Sequence, residues 1–225
     1  MIGFRYHSRR YDLNEKFFDS WSSTMAYVLG FWFADGYMRT EKSYRIQFSS
    51  CDHDILEAIK LAMSSTHPIR KSKKDNTWEL ILFSKHLFKA LQKRGGLRRK
   101  SRVVTFPKIP PRYLRDFIRG YFDGDGSVFQ VRYIATKTQR MTTELRSNFT
   151  SGSRVFLEEL MNVLQRSIGL KKKVLGSFND GHSLKLGYGI KETTRLLNFL
   201  YYTSCPIALA RKMRFFNKHK GSESY

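Results

Sequence analysis

Val28-Leu29-Gly30-Phe31-Trp32-Phe33-Ala34-Asp35-Gly36 is answered, ninety residues further along the chain, by Ile118-Arg119-Gly120-Tyr121-Phe122-Asp123-Gly124-Asp125-Gly126. The two stretches agree position for position where it matters: a small residue third, another small residue seventh, an acid eighth and glycine ninth. Small residues four apart lie on one face of a helix and let two helices approach closely. The first stretch is apolar almost all round, so a helix built from it must be buried. Packing the two stretches side by side buries both.

Working outward, the repetition continues. Tyr44-Arg45-Ile46-Gln47-Phe48-Ser49-Ser50 matches Leu145-Arg146-Ser147-Asn148-Phe149-Thr150-Ser151, and Ile55-Leu56-Glu57-Ala58-Ile59 matches Phe156-Leu157-Glu158-Glu159-Leu160. Three matched segments in one order indicate duplicated halves. Ser22 or Ser23 can cap the first motif helix, and Gly36 reads as its left-handed stop. Pro110-Pro111 introduce the second, which ends at Gly126. In the strand segment, Tyr44, Ile46 and Phe48 alternate with Arg45, Gln47 and Ser49, giving one apolar face and one polar, basic face. Lys74-Asp75-Asn76 and Asn179-Asp180-Gly181 are turn signals inside further hairpins, 69–73 with 77–83 and 173–178 with 182–188. Helical patterns follow at 85–92 and 191–201. Each half reads as helix, two strands, helix, two strands, helix, which makes the chain α+β. Residues 1–20 form a basic arm, 21–100 the first half, 101–113 a proline-bearing linker that can span roughly 40 Å, 114–218 the second half and 219–225 a tail.

Composition narrows the partner. Of 225 residues, 41% are hydrophobic and 15% aromatic, enough for a real core, while 41 Lys and Arg against 19 Asp and Glu leave a net charge of +22. That excess points to a polyanion. The start of the chain lacks the apolar run of a signal peptide, and the longest apolar stretch, Met25 to Ala34, is about half a membrane span. Cys51 and Cys205 make neither a disulfide framework nor a C-x-x-C pair, and the six histidines lack zinc spacing. An intracellular monomer is expected, acting on nucleic acid with no membrane and no obligatory protein partner.

Asp35 and Asp125 each sit at the C-terminal end of a motif helix, where the helix dipole disfavours a carboxylate by roughly 0.3–1 kcal/mol. The same unfavourable placement occurs in both halves. Adjacent helices would bring two carboxylates and two negative helix ends together, and such a cluster calls for a hard cation such as Mg²⁺. Asp123 stands opposite Phe33 in the repeat, so a symmetric metal role does not suit it, and a structural or hydrogen-bonding role is expected.

The paired motifs, their spacing and the segment from Phe106-Pro107 to Arg119-Gly120 resemble the LAGLIDADG homing endonucleases in their single-chain, two-motif form, over about Tyr11 to Lys218. Departures occur at several apolar positions of the first motif. The resemblance implies an αββαββα fold in each half, with two four-stranded antiparallel sheets forming a saddle over the major groove of double-stranded DNA. It implies that Asp35 and Asp125 hold two or three Mg²⁺ ions, with Mn²⁺ or Ca²⁺ able to substitute in binding. The implied reaction is hydrolysis of both strands of a long asymmetric target, leaving short 3′ overhangs. It also implies a catalytic lysine in each half, for which Lys100 and Lys212 are the candidates. Polar strand faces would read the bases through Arg39, Arg45, Gln47, Gln130, Arg132, Arg146, Asn148 and Lys185. Basic clusters, including Lys71 and Lys73, the run from Arg94 to Arg115 and Lys171 to Lys173, would meet phosphates, and Arg5, Arg9 and Arg10 form either an added DNA-contacting arm or a frayed terminus. An RNA-binding intron maturase and a non-catalytic DNA-binding regulator are the alternatives on this scaffold. Acids intact in both motifs favour cleavage.

Overall fold

The computed structural model describes residues 10–40, 43–98, 102–136, 139–178 and 183–220, with residue 178 and residues 218–220 described for their backbone alone. Lys100, Arg5, Arg9 and the turn signal at 179–181 lie outside the described residues. Helix α1 (Ser23–Asp35) opens on Ser22, whose hydroxyl accepts from Met25 N at 3.0 Å, and every residue from Met25 to Phe33 is buried. It runs straight into β1 (Gly36–Arg39), followed by β2 (Arg45–Ser50), α2 (His53–Ala62), β3 (Ile69–Lys71), β4 (Trp78–Phe83) and α3 (Lys85–Lys93). The second half repeats the order after a 3-10 turn at Pro111–Tyr113: α4 (Leu114–Asp125), β5 (Gly126–Ala135), β6 (Arg140–Ser151), α5 (Arg154–Ile168), β7 (Gly176–Phe178), β8 (Ser183–Tyr188) and α6 (Ile190–Leu200). Each half holds one four-stranded antiparallel sheet, ordered β1-β2-β4-β3 and β5-β6-β8-β7.

A final helix, α7 (Ala210–Lys220), has no counterpart in the sequence reading. Six of its eleven residues are Lys, Arg or His, which hides its inward side. It is held by two inward residues, Phe216, stacked on Tyr201 at 5.9 Å, and the buried Lys212.

Apolar alternation places one face of each sheet against helices. In the first half Ile46, Phe48, Leu80 and Leu82 are buried together with Ile55, Leu56, Ile59 and Leu87. In the second, Phe149, Leu184 and Leu186 join Phe156, Leu157, Leu160 and Leu196. The opposite faces carry the polar residues. Between the halves α1 and α4 touch backbone to backbone. A Cβ added at Gly30 would stand 2.0 Å from Phe117 O, and one at Gly120 would stand 2.0 Å from Tyr27 O.

Gly36 and Gly126 do not take the left-handed conformation expected of a helix stop. Both are extended, with φ −93° and −91°, and each is already the first residue of a strand. Glycine is needed there because a Cβ would strike the ring of Trp32 at 2.2 Å or of Phe122 at 2.3 Å. The helix thus passes directly into the strand, and the preceding acid is held at the junction.

Candidate active site and nucleic-acid interface

Asp35 and Asp125 close α1 and α4, the first exposed and the second half-buried. The crossing at Gly30 and Gly120 brings the two helix ends together, so that a Cβ at Gly124 would lie 3.3 Å from Asp35 Oδ2 and 2.4 Å from Ala34 Cβ. The Asp35 carboxylate therefore rests against the α4 backbone one residue before Asp125. Both acids act on one neighbour: burial first, then Asp125 and Asp35, hold the Tyr121 phenol well above its ordinary range. Its hydroxyl donates to Thr150 O at 2.7 Å, and the Thr150 hydroxyl in turn donates to Asp125 O at 2.8 Å. Among the described residues no third His, Cys, Asp or Glu completes a metal cluster. Two carboxylates at two negative helix ends suit a hard divalent cation whose remaining positions are filled from outside the protein, by phosphate and water.

Lys212 differs from its expected role. It is 2% exposed, and its ammonium donates to Phe122 O at 2.5 Å, Asp123 O at 2.9 Å and Gly126 O at 2.5 Å. All three protons are committed to carbonyls at the end of α4, which leaves none directed at a phosphate. Burial brings its pKa down to about 8, against the opposing pull of Asp123, Asp125 and Asp35. The geometry is that of a positioning residue: it ties off the helix end that carries Asp125.

Asp123 is the hub beneath it. Its carboxylate accepts from Tyr27 Oη at 2.6 Å, Tyr201 Oη at 2.6 Å and Leu209 N at 2.8 Å. It thereby joins α1 of the first half to α4, α6 and the lead-in to α7. Burial raises its pKa, while Lys212 and the two tyrosines oppose the shift. Phe33, at the same place in the first motif, instead packs on Phe117 and Phe156. Replacing Asp123 by alanine would strand two phenols and a backbone N–H and remove the counter-charge of Lys212. Urea unfolding of Asp123→Ala is expected to show a loss of about 3–5 kcal/mol, with a smaller loss for Asp123→Asn. A change under about 1 kcal/mol for the alanine variant would mean that the hub holds nothing together.

On the first sheet, the face away from the helices carries Tyr37, Arg39, Arg45 and Gln47, and by register Arg70 and Phe83. Arg45 Nη2 donates to Gln47 Oε1 at 2.6 Å and Gln47 Nε2 to Ser49 Oγ at 3.0 Å, so these groups are preset. The corresponding face of the second sheet carries Phe129, Tyr133, Glu144, Arg146 and Lys185. There Glu144 accepts from Tyr133 Oη at 2.5 Å and from Arg146 Nη2 at 3.0 Å. The Lys185 ammonium lies 5.6 Å from the Phe129 ring centre. Phe129, Glu144, Arg146, Lys185 and Gly187 line a cavity of about 390 Å³ beside this network.

Five expected contacts fall elsewhere. Gln130 pairs with Leu145 and Arg132 with Thr143, which puts both on the helix-side face, opposite Arg146. Asn148 does share the face of Arg146 but is 5% exposed, set in the sheet between Ser127 and Gly187. Lys71 pairs with Trp78 on the helix side, its ammonium 5.7 Å from the indole centre. Lys73 is exposed in the β3–β4 turn. Arg94, in the long basic run, turns inward to Phe18 O at 2.9 Å and stacks on Trp21. Sequence reasoning also missed the Tyr133–Glu144–Arg146 group, although an acid two residues from an arginine on one strand face was a usable signal.

Residues 112–186 match the family model described as a LAGLIDADG-like domain. The chain is 28% identical over 123 residues to the uncharacterized protein MJ0398 of Methanocaldococcus jannaschii, covering 50% of this chain and 42% of that protein. It thus spans about two fifths of the length of that relative. Over 93% of its length it superposes on 92% of the LAGLIDADG homing endonuclease I-LtrWI bound to target DNA, with a TM-score of 0.60 at 13% identity. A second structure, I-SmaMI bound to an uncleaved DNA target in the presence of calcium ions, gives a TM-score of 0.55 at 14% identity over 90% of this chain and 93% of that one. With two motif helices in contact and one four-stranded sheet on each, the chain has the LAGLIDADG homing endonuclease fold in its single-chain, two-motif form.

Proposed function

We propose that the chain is a site-specific endonuclease that hydrolyses both strands of a long, asymmetric double-stranded DNA target with divalent metal, leaving short 3′ overhangs. The observation that carries this reading is the Asp35 carboxylate lying against the α4 backbone beside Asp125, where each motif helix passes into its sheet, in a chain of net charge +22. Asp35 and Asp125 would hold Mg²⁺, which when bound supplies an activated water and charge stabilisation on the phosphate. The remaining work belongs to the protein's own groups. Tyr121 and Thr150 fix the Asp125 main chain, and Lys212 holds the end of α4. Arg39, Arg45, Gln47, Arg146 and Lys185 present donors to base edges and Lys73 to phosphate, the mode of contact that suits a major groove.

Incubation with a library of duplexes in Mg²⁺ and in EDTA tests the reading. Double-strand breaks are expected only with metal, and selected duplexes should still bind in Ca²⁺. With about six to ten phosphate contacts, affinity should fall roughly 10³–10⁵-fold between 50 and 200 mM salt. Cleavage that persists in EDTA, or a salt-independent affinity, would contradict the assignment.

A further inference from the structure

The two sheets differ in one respect that the duplication does not predict. In the first, β1 pairs with β2 over four positions, Gly36↔Phe48 to Arg39↔Arg45, and every one of those β2 residues also pairs with β4. In the second, β5 and β6 pair over ten positions, Gly126↔Phe149 to Ala135↔Arg140. Strand β8 accompanies β6 only as far as Ser147↔Tyr188. The seven pairs from Phe129↔Arg146 to Ala135↔Arg140 therefore form a two-stranded ribbon that runs on past the sheet. At about 3.4 Å per residue this ribbon is roughly 20 Å long.

An isolated two-stranded ribbon is marginal in water, and this one is not covered by a core at its outer end. Tyr133 is 37% exposed, Ile134 59% and Met141 67%, and Arg132, Arg140 and Thr143 are exposed as well. Its charge is basic: Arg132 and Arg140 are added, while Glu144, its one acid, is occupied by Arg146 and Tyr133. The face bearing Tyr133, Thr142 and Arg140 is continuous with that bearing Arg146 and Lys185. A major groove about 12 Å wide admits a two-stranded ribbon.

We infer that this ribbon is a one-sided extension of the DNA-binding surface, so that the second half engages about four to six base pairs of flanking duplex for which the first half has no matching reach. The inference rests on the DNA-cleaving role proposed above. It concerns the flank of the site and not the cutting centre.

The test is hydroxyl-radical footprinting of the full chain, in Ca²⁺, on a duplex recovered from a random library by selection for binding. Protection should be unequal about the centre of the site. Deleting 132–135 together with 140–143 removes four pairs and keeps every remaining side chain on its own face, since the number is even. That variant should lose protection over the outer base pairs of the longer arm alone, with the centre still protected and the melting temperature little changed. The variant Tyr133→Ala/Arg140→Ala, which leaves the backbone intact and removes side chains of the Arg146 face alone, should weaken the same arm. Equal arms in the wild type, or an unchanged longer arm in both variants, would overturn the inference while leaving the endonuclease reading in place. Failure of the full chain to retain any duplex would overturn both.

Discussion

Gly120→Val is expected to prevent folding outright, and Gly120→Ala to cost more than about 4 kcal/mol. A Cβ at this position would lie 2.0 Å from Tyr27 O and 2.9 Å from Phe31 N, and Gly30 repeats the arrangement against Phe117 O. The obstacles are backbone atoms of a buried helix, which cannot rotate away as a side chain can. Relief requires α1 and α4 to separate by an ångström or more along their shared face. That opens gaps among Tyr27, Phe31, Phe117 and Tyr121, all buried. Overpacking of side chains alone typically costs 1–3 kcal/mol, and whole domains hold only about 5–15 kcal/mol. Gly187→Ala is the control: nothing lies within 4 Å of its added Cβ, and its expected effect is within about 0.5 kcal/mol. Denaturant midpoints for Gly120→Ala and Gly187→Ala that coincide would show that the helix contact is not the constraint described.

The contact at Gly30 and Gly120 was legible because its signal is local. Small residues recur at fixed spacing on an all-apolar helix, and the pattern occurs twice. The joining of Asp35 and Asp125 follows from that same geometry. What was not legible depends on partners far away in the chain. The hydrogen-bonding role expected of Asp123 is observed, but its partners Tyr27 and Tyr201 are 96 and 78 residues distant and carry no local signal. Lys212 meets carbonyls some ninety residues back, and no periodicity marks a lysine that will be buried under a helix end. Strand phase failed for a different reason. In β2, Ile46 and Phe48 alternate cleanly with polar residues, and their placement on the helix side agrees with the reading. In β5, Val128 and Phe129 are adjacent and Tyr133 and Ile134 follow, so the strand alone does not reveal its inward face. Only the register with Leu145 and Phe149 decides, and it puts Gln130 and Arg132 on the side opposite Arg146. The length of the ribbon was hidden by the same lack of alternation.

Asp35→Asn and Asp125→Asn are each expected to lower double-strand cleavage by about a thousandfold or more, which corresponds to roughly 4 kcal/mol of lost transition-state stabilisation. Asparagine keeps the size and shape of the side chain while removing its charge, so it tests the charge and not the packing. Stability should move the opposite way. Each carboxylate sits at the negative end of a helix, and neutralising it there relieves roughly 0.3–1 kcal/mol of unfavourable interaction. Duplex affinity in EDTA should hold or tighten, because one repulsion against phosphate is gone. A residue whose loss stabilises the fold, preserves binding and stops the reaction is retained for the chemistry, and a merely structural acid would not separate these three readouts. The closeness of Asp35 to the α4 backbone beside Asp125 also implies coupling of the two positions, so that single variants should impair cutting of both strands instead of converting the enzyme cleanly into a nickase. Full-rate cleavage by both single variants would move the active site elsewhere, and a variant that lost duplex binding together with cleavage would return these acids to an architectural role.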